Sequence, residues 1–172
     1  MLCLETIKPF NNKNWESVCL SSIGKVYSIR GETEKAFDYF SQSLEIDEKN
    51  GNKLCIADTY SEFGGVFFAN KDYKIAMEYY KKALFSFNEL DSKENIVMSL
   101  LNISNVHLHD DNYKEAIKFT KKGRNVAKKI DAKPWITASY CQLVSIYSQL
   151  GKHRKVKKHS KLCNNQGSAK VI

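Results

Sequence analysis

Apolar and polar positions alternate along this chain with the period of an α-helix, in blocks separated by short polar or glycine-containing turns. Residues 57–90, ADTYSEFGGVFFANKDYKIAMEYYKKALFSFNEL, show it best: two amphipathic helices joined by a tight turn at Lys71-Asp72. Ala76, Tyr80 and Ala83 lie four and three residues apart and share one helical face. A shift of 40 residues back gives Ala36, Phe40 and Ser43, and shifts forward give Ala116, Thr120, Gly123 and then Val156, Ser160, Cys163. The preceding helix keeps the same register, with Leu20, Ile23, Gly24 and Tyr27 recurring as Tyr60, Phe63, Gly64 and Phe67. The next copies are Leu100, Ile103, Ser104, His107 and Tyr140, Leu143, Val144, Tyr147, so His107 takes the place of a core aromatic. Turn-prone pairs separate the two helices of each copy: Gly31-Glu32, Lys71-Asp72, Asp111-Asn112 and Gly151-Lys152. A period held without insertion implies stacked supersecondary units, each burying its apolar face on the next.

The pattern predicts helices near Trp15–Ile29, Thr33–Glu48, Lys53–Ala69, Tyr73–Leu90, Lys93–Leu108, Tyr113–Ile130, Trp135–Leu150 and Lys152–Cys163. Gly51 stops the second helix, and Pro134 suits a first helical turn. The last helix offers only Val156, Leu162 and Cys163 as clearly apolar residues, which reads as a solvated end cap. Residues 1–16 read as the end of a preceding helix or a cap, and 164–172 as a polar, disordered tail.

These residues resemble the tetratricopeptide repeat family, whose signature is W-x2-L-G-x2-Y, then A-x3-F, then P. Leu20-x2-Ile23-Gly24-x2-Tyr27 with Ala36-x3-Phe40 carries it first, and Tyr60-x2-Phe63-Gly64-x2-Phe67 with Ala76-x3-Tyr80 second. Copies three and four are looser: Ser104 and Val144 replace the glycine, and Thr120 and Ser160 replace the aromatic. The resemblance implies an all-α fold, an α-solenoid of four helix–turn–helix repeats in a right-handed superhelix, with repeats at 17–56, 57–96, 97–136 and 137–163. The common family period is 34 residues, and the extra six are expected in longer helices and longer connections between repeats. Repeats of this length look like those of kinesin light chains and of bacterial regulators with tetratricopeptide sensor domains. Small residues at Gly24, Gly64, Ala36, Ala76 and Ala116 let paired helices approach, with Tyr27, Phe40 and Tyr80 filling the remaining space. Ala76→Leu is expected to overpack this contact by roughly 1–3 kcal/mol, read as a lowered melting midpoint.

Composition adds a compartment and a charge asymmetry. Hydrophobic residues make up 42% of 172, and no apolar run is long enough to span a bilayer. The amino terminus has no secretory pattern, so a cytoplasmic protein without membrane contact is the expectation. Five cysteines, Cys3, Cys19, Cys55, Cys141 and Cys163, are scattered and fit neither a zinc site nor a disulfide framework. They read as reduced thiols packed as small hydrophobes. The net charge of +8 is uneven: residues 1–112 carry 12 Lys/Arg and 17 Asp/Glu, residues 113–172 carry 15 and 2.

No Ser-His-Asp set, phosphate-binding glycine loop or catalytic carboxylate pair stands out. A protein without enzymatic activity, cofactor or metal is expected. The resemblance implies that the first helix of each repeat lines a concave groove holding a protein or peptide segment. Its candidate residues are Lys25, Glu62, Asn102, Asn105, His109 and Gln142, with Met98, Leu101, Ala138, Cys141 and Ser145 among their neighbours. Asn102 and Asn105, one turn apart, carry amides suited to an extended backbone. A clamp for acidic carboxyl termini is not expected, because the groove positions of repeat three lack a basic residue. Two alternatives stand beside the scaffold. One is a sensory or dimerising segment of a larger bacterial signalling or transcription regulator. The other is a basic outer face, including Lys118, Lys121, Lys122, Lys155 and Lys158, for nucleic acid or an acidic partner, with nucleic acid the less expected of the two, since aromatic residues are sparse there. Homo-oligomers through the end repeats are a further expectation.

Overall fold

The computed structural model describes residues 13–167, with side chains as far as residue 164. Among the described residues the chain forms α1 (Lys13–Ile29), α2 (Thr33–Asn50), α3 (Lys53–Ala69), α4 (Tyr73–Glu89), α5 (Lys93–His109), α6 (Tyr113–Lys129), α7 (Lys133–Gln149) and α8 (His153–Gly167), and no strand. The periodicity places these elements within two residues, except that α8 runs on to Gly167. Asn164–Gly167 are therefore helical where a polar tail was expected. Residues 1–12 and 168–172 lie outside the described residues.

All seven connections have one construction. A residue with positive φ falls every 20 residues: Gly31, Gly51, Lys71, Asp91, Asp111, Asp131 and Gly151. At each, the left-handed residue donates to the carbonyl three residues back and the next N–H reaches five back. Gly31 N to Ser28 O (3.0 Å) and Glu32 N to Tyr27 O (3.0 Å) show the pattern, repeated by Lys71 N to Phe68 O (3.0 Å) and Asp72 N to Phe67 O (2.9 Å). These are Schellman closures, which satisfy the last carbonyls of the helix. Glycine takes the left-handed position at no steric cost, and aspartate tolerates it through its short polar side chain. The extra residues of the 40-residue period thus lie in the helices. The expected longer connections between repeats are absent, because turns within and between repeats are equally short.

The chain forms two compact units, Met1–Ser86 and Phe87–Ile172. In the first, α1 packs on α2 and α2 on α3. The core holds Ala36, Phe40, Phe63 and Val66, edged by Tyr27, Leu44, Tyr60 and Tyr79. Gly24 and Gly64 are close-approach positions: a Cβ at Gly24 would meet Phe40 at 2.8 Å, and one at Gly64 would meet Tyr80 at 2.5 Å. A buried carboxylate ties α1 and α2 together at the far end. Asp47 accepts from Ser17 Oγ at 2.6 Å and from Asn52 Nδ2 at 3.1 Å, while Ser43 Oγ donates to the Ser17 carbonyl at 3.0 Å. Two donors to the buried carboxylate, Ser17 Oγ and Asn52 Nδ2, offset part of the desolvation that would otherwise exclude it.

In the second unit, α5 packs on α6, α6 on α7 and α7 on α8. Val97, Leu101, Ala127, Ile136, Tyr140, Leu143 and Tyr147 form the core. The replacements in repeats three and four are volume exchanges. Ser104 faces Thr120, hydroxyls 2.7 Å apart, where Gly24 and Gly64 face aromatic rings. By the same register Val144 is matched with Ser160. The helix-one residue grows as the helix-two residue shrinks, so the larger residue at the first position meets a smaller one at the second.

A second periodic pair lies beside that contact. Tyr27 stacks on Tyr39 (5.4 Å), Phe67 on Tyr79 (5.5 Å), His107 on Phe119 (5.4 Å), and Tyr147 lies 5.2 Å from His159. His107 therefore does fill an aromatic position.

The cysteines differ from expectation. Cys141 and Cys163 are joined by a disulfide, S–S 1.97 Å, that ties α7 to α8, and Cys19 is also disulfide-bonded. Cys55 is a free thiol, and burial pushes its pKa up. Sequence separation hides the Cys141–Cys163 pair because helix pairing, not proximity along the chain, brings the two sulfurs together. The disulfide, with Val156 and Leu162 packed on the core, holds α8 in place despite its many lysines. No helix among the described residues is long and apolar enough to cross a membrane.

Candidate functional site

Helices α5 and α7 lie side by side in the second unit. Groove positions recur every three or four residues on each, so one face of each helix contributes. Between them is a cavity of about 440 Å³. Met98, Leu101, Asn102 and Asn105 line it from α5, and Trp135, Ala138, Cys141, Gln142 and Ser145 from α7. Three of the sequence-derived candidates, Asn102, Asn105 and Gln142, thus surround one space.

Their amides are organised. Gln142 Nε2 donates to the Leu101 carbonyl at 3.0 Å and to Asn105 Oδ1 at 2.6 Å. This leaves the Asn105 NH2 group as a donor and Gln142 Oε1 as an acceptor. Asn102, one turn earlier, makes no side-chain hydrogen bond among the described residues. A donor and an acceptor held at fixed spacing match the alternating groups of an extended backbone. Trp135, Met98 and Leu101 supply apolar wall for a side chain. No charged residue lines the cavity.

The same register in the first unit is occupied by charge. Lys25 Nζ and Glu62 Oε1 lie 3.1 Å apart, 80 residues before Asn105 and Gln142. Asp58, one turn before Glu62, has its carboxyl pushed above the usual range chiefly by burial; Lys25 opposes this and Glu62 adds to it. The ion pair is partly exposed and contributes little to stability. The two units therefore offer different surfaces at equivalent places, ionic in the first and neutral in the second.

Other candidates fall elsewhere. His109 ends α5 and does not line the cavity. Lys118, Lys121 and Lys122 on α6, and Lys155 and Lys158 on α8, are exposed. Lys118 pairs with Glu115 at 2.8 Å, Lys122 lies over the Phe119 ring at 5.4 Å, and Lys155 lies over Tyr147 at 4.9 Å. Gly24, Ala36, Phe40, Gly64, Ala76, Tyr80 and Ala116 are buried, and Tyr27 is half-buried. Among the described residues no group of three His, Cys, Asp or Glu is placed to hold a metal. Sequence reasoning missed Trp135 as a wall of the cavity. The signal was present, since Trp135 lies three residues before Ala138 on the same face.

Residues 17–89 match the tetratricopeptide repeat family. No curated protein matches the sequence. Among solved structures, a Rap protein complexed with competence and sporulation factor is 18% identical, with a TM-score of 0.87 over 95% of this chain and 46% of that one. Aspartyl phosphate phosphatase F from Bacillus subtilis is 19% identical, TM-score 0.86, over 92% of this chain and 42% of that one. A signal transduction ATPase with numerous domains and a tetratricopeptide repeat sensor, from Pyrococcus horikoshii, is 23% identical, TM-score 0.82, over 95% and 25%. At these identities the likeness is one of fold. The chain spans less than half the length of each of these proteins.

Proposed function

We propose that this chain, whose residues 17–89 belong to the tetratricopeptide repeat family, is a non-enzymatic scaffold that holds an extended protein or peptide segment between α5 and α7. The observation that carries the reading is the Asn105–Gln142 amide pair, fixed by the Leu101 carbonyl at the edge of a cavity walled by Trp135 and Met98. Backbone groups of the segment meet the amides, and an uncharged side chain enters the apolar part. A carboxylate clamp is disfavoured, because no lysine or arginine reaches this cavity.

The test is a pull-down from lysate of the source cell, comparing wild type with Asn102→Ala/Asn105→Ala whose circular dichroism and melting are unchanged. A partner retained by wild type and lost by the variant supports the groove. A partner retained equally by both moves binding elsewhere and sinks the assignment.

A second reading is a sensory segment of a larger signalling protein. It is favoured by the fold likeness to a tetratricopeptide repeat sensor and by the short span of this chain on its structural neighbours. An adjoining helix-turn-helix or kinase segment in the parent reading frame supports it, and a parent with neither counts against it.

A further inference from the structure

The 40-residue register supplies an internal comparison that isolates a vacated pocket in the first unit. In the second unit, the space between the start of α6 and the end of α7 is filled. Tyr113, Ile117 and Leu150 pack there around Leu108, Ala116 and Ile146. Eighty residues earlier, Tyr113 becomes Thr33, Leu150 becomes Asn70 and Leu108 becomes Ser28. Thr33 and Asn70 are bonded to each other at 2.9 Å, so the polar pair keeps the helix ends in place without filling the space between them. What remains is a pocket of about 330 Å³ lined by Thr33, Glu34, Phe37, Asp38, Val66 and Phe67.

The rim is reversed in charge as well. At the filled copy the positions equivalent to Glu34 and Asp38 are Lys114 and Lys118. At the open copy both are carboxylates, one helical turn apart on α2. Neither has an ion-pair partner among the described residues, and Lys35 between them is engaged with Glu32 at 2.6 Å. The walls are aromatic: Phe37 is exposed and meets the Phe67 ring edge-on at 6.1 Å.

We infer that this pocket docks an arginine side chain of a protein partner. The aliphatic stem fills the space that Tyr113 and Leu150 fill in the second unit. The guanidinium lies against the phenylalanine rings and meets the two carboxylates. A planar guanidinium is suited to both contacts, stacking on aromatic faces and donating in fork geometry to carboxylates, where a lysine ammonium is a hydrated point charge. The chain already uses this pairing internally, with the Arg124 guanidinium 5.3 Å over the Tyr140 ring. The inference is independent of the α5–α7 groove and survives if that reading fails.

The test uses the whole chain and two capped pentapeptides, Ala-Ala-Arg-Ala-Ala and the same peptide with citrulline in place of arginine. Citrulline keeps the shape and removes the charge. Backbone amide and methyl chemical shifts are followed by NMR. The expected result is perturbation of Thr33–Asp38 and Val66, with the arginine peptide binding at least about tenfold tighter than the citrulline one. Glu34→Gln/Asp38→Asn is expected to remove that preference. Thr33→Tyr/Asn70→Leu, which installs the residues of the filled copy, is expected to abolish binding while raising the melting midpoint. Equal affinity for the two peptides overturns the proposal, as do shifts confined to other surfaces. Free arginine amide binding as tightly as the peptide overturns the assignment to a protein segment.

Discussion

Gly64→Val is expected to destabilise the first unit by about 3 kcal/mol or more, lowering the melting midpoint by roughly 6–12 °C. A Cβ at this position would lie 2.5 Å from Tyr80 Cδ1, 2.6 Å from Cε1 and 3.0 Å from Cγ. All three are ring atoms of a side chain only 5% exposed, so the ring cannot swing into solvent. Valine adds two further methyls to that overlap, and the helix-propensity gain over glycine, under about 1 kcal/mol, does not offset it. The second unit shows how the chain accommodates a larger residue here, with Ser104 facing Thr120 and Val144 in register with Ser160. Tyr80→Ser alone opens a cavity and is itself destabilising. The double variant Gly64→Val/Tyr80→Ser is therefore expected to be markedly more stable than the sum of the single losses, by more than about 1 kcal/mol in a double-mutant cycle. Urea midpoints measure it; additive losses would mean that the two positions do not exchange volume.

The other large effect concerns the Cys141–Cys163 disulfide. Its cysteines are 22 residues apart in sequence, and the chain-entropy relation assigns closure of such a loop about 3 kcal/mol. Cys141→Ser/Cys163→Ala keeps both volumes nearly constant: position 141 is exposed, and position 163 packs partly against the core. The loss is expected to fall mainly on α8, which otherwise holds to the core through Val156 and Leu162. Hydrogen exchange of α8 amides is expected to accelerate in the variant, and in wild type after dithiothreitol, while α5 amides change little. Unchanged exchange in α8 in both cases would show that the apolar contacts alone retain the helix.

Helix existence and register could be derived from the sequence because both depend on spacing. Ala76 and Tyr80 share a face in any α-helix, and a 40-residue repeat reports the same packing four times. What escaped was set by pairing across helices. The disulfide joins two residues whose closeness depends on how α7 packs on α8. Nothing in the spacing marks Asp47 as buried, since its donors Ser17 and Asn52 come from neighbouring elements. Thr120 and Ser160 read as decay of the motif, while the structure makes Thr120 the hydrogen-bonded partner of Ser104 at the position where the earlier repeats carry a ring against glycine. The groove was partly visible: Asn102, Asn105 and Gln142 follow from helical spacing, but the bond from Gln142 to Asn105 needs the distance between α5 and α7. His109 shares that spacing and still falls beyond the cavity, because it lies at the end of α5.

The claim that α5 and α7 hold an extended segment is tested most directly by the fluorescence of Trp135, which lines the cavity. The chain has two tryptophans, so Trp15→Phe leaves Trp135 as the single reporter. Titration with the segment captured in the pull-down is expected to shift its emission to the blue, with a midpoint equal to the Kd from calorimetry. Asn102→Ala/Asn105→Ala is expected to move both together to weaker binding. Calorimetric binding with Trp135 emission unchanged would contradict the account, because the segment would then be held outside this groove.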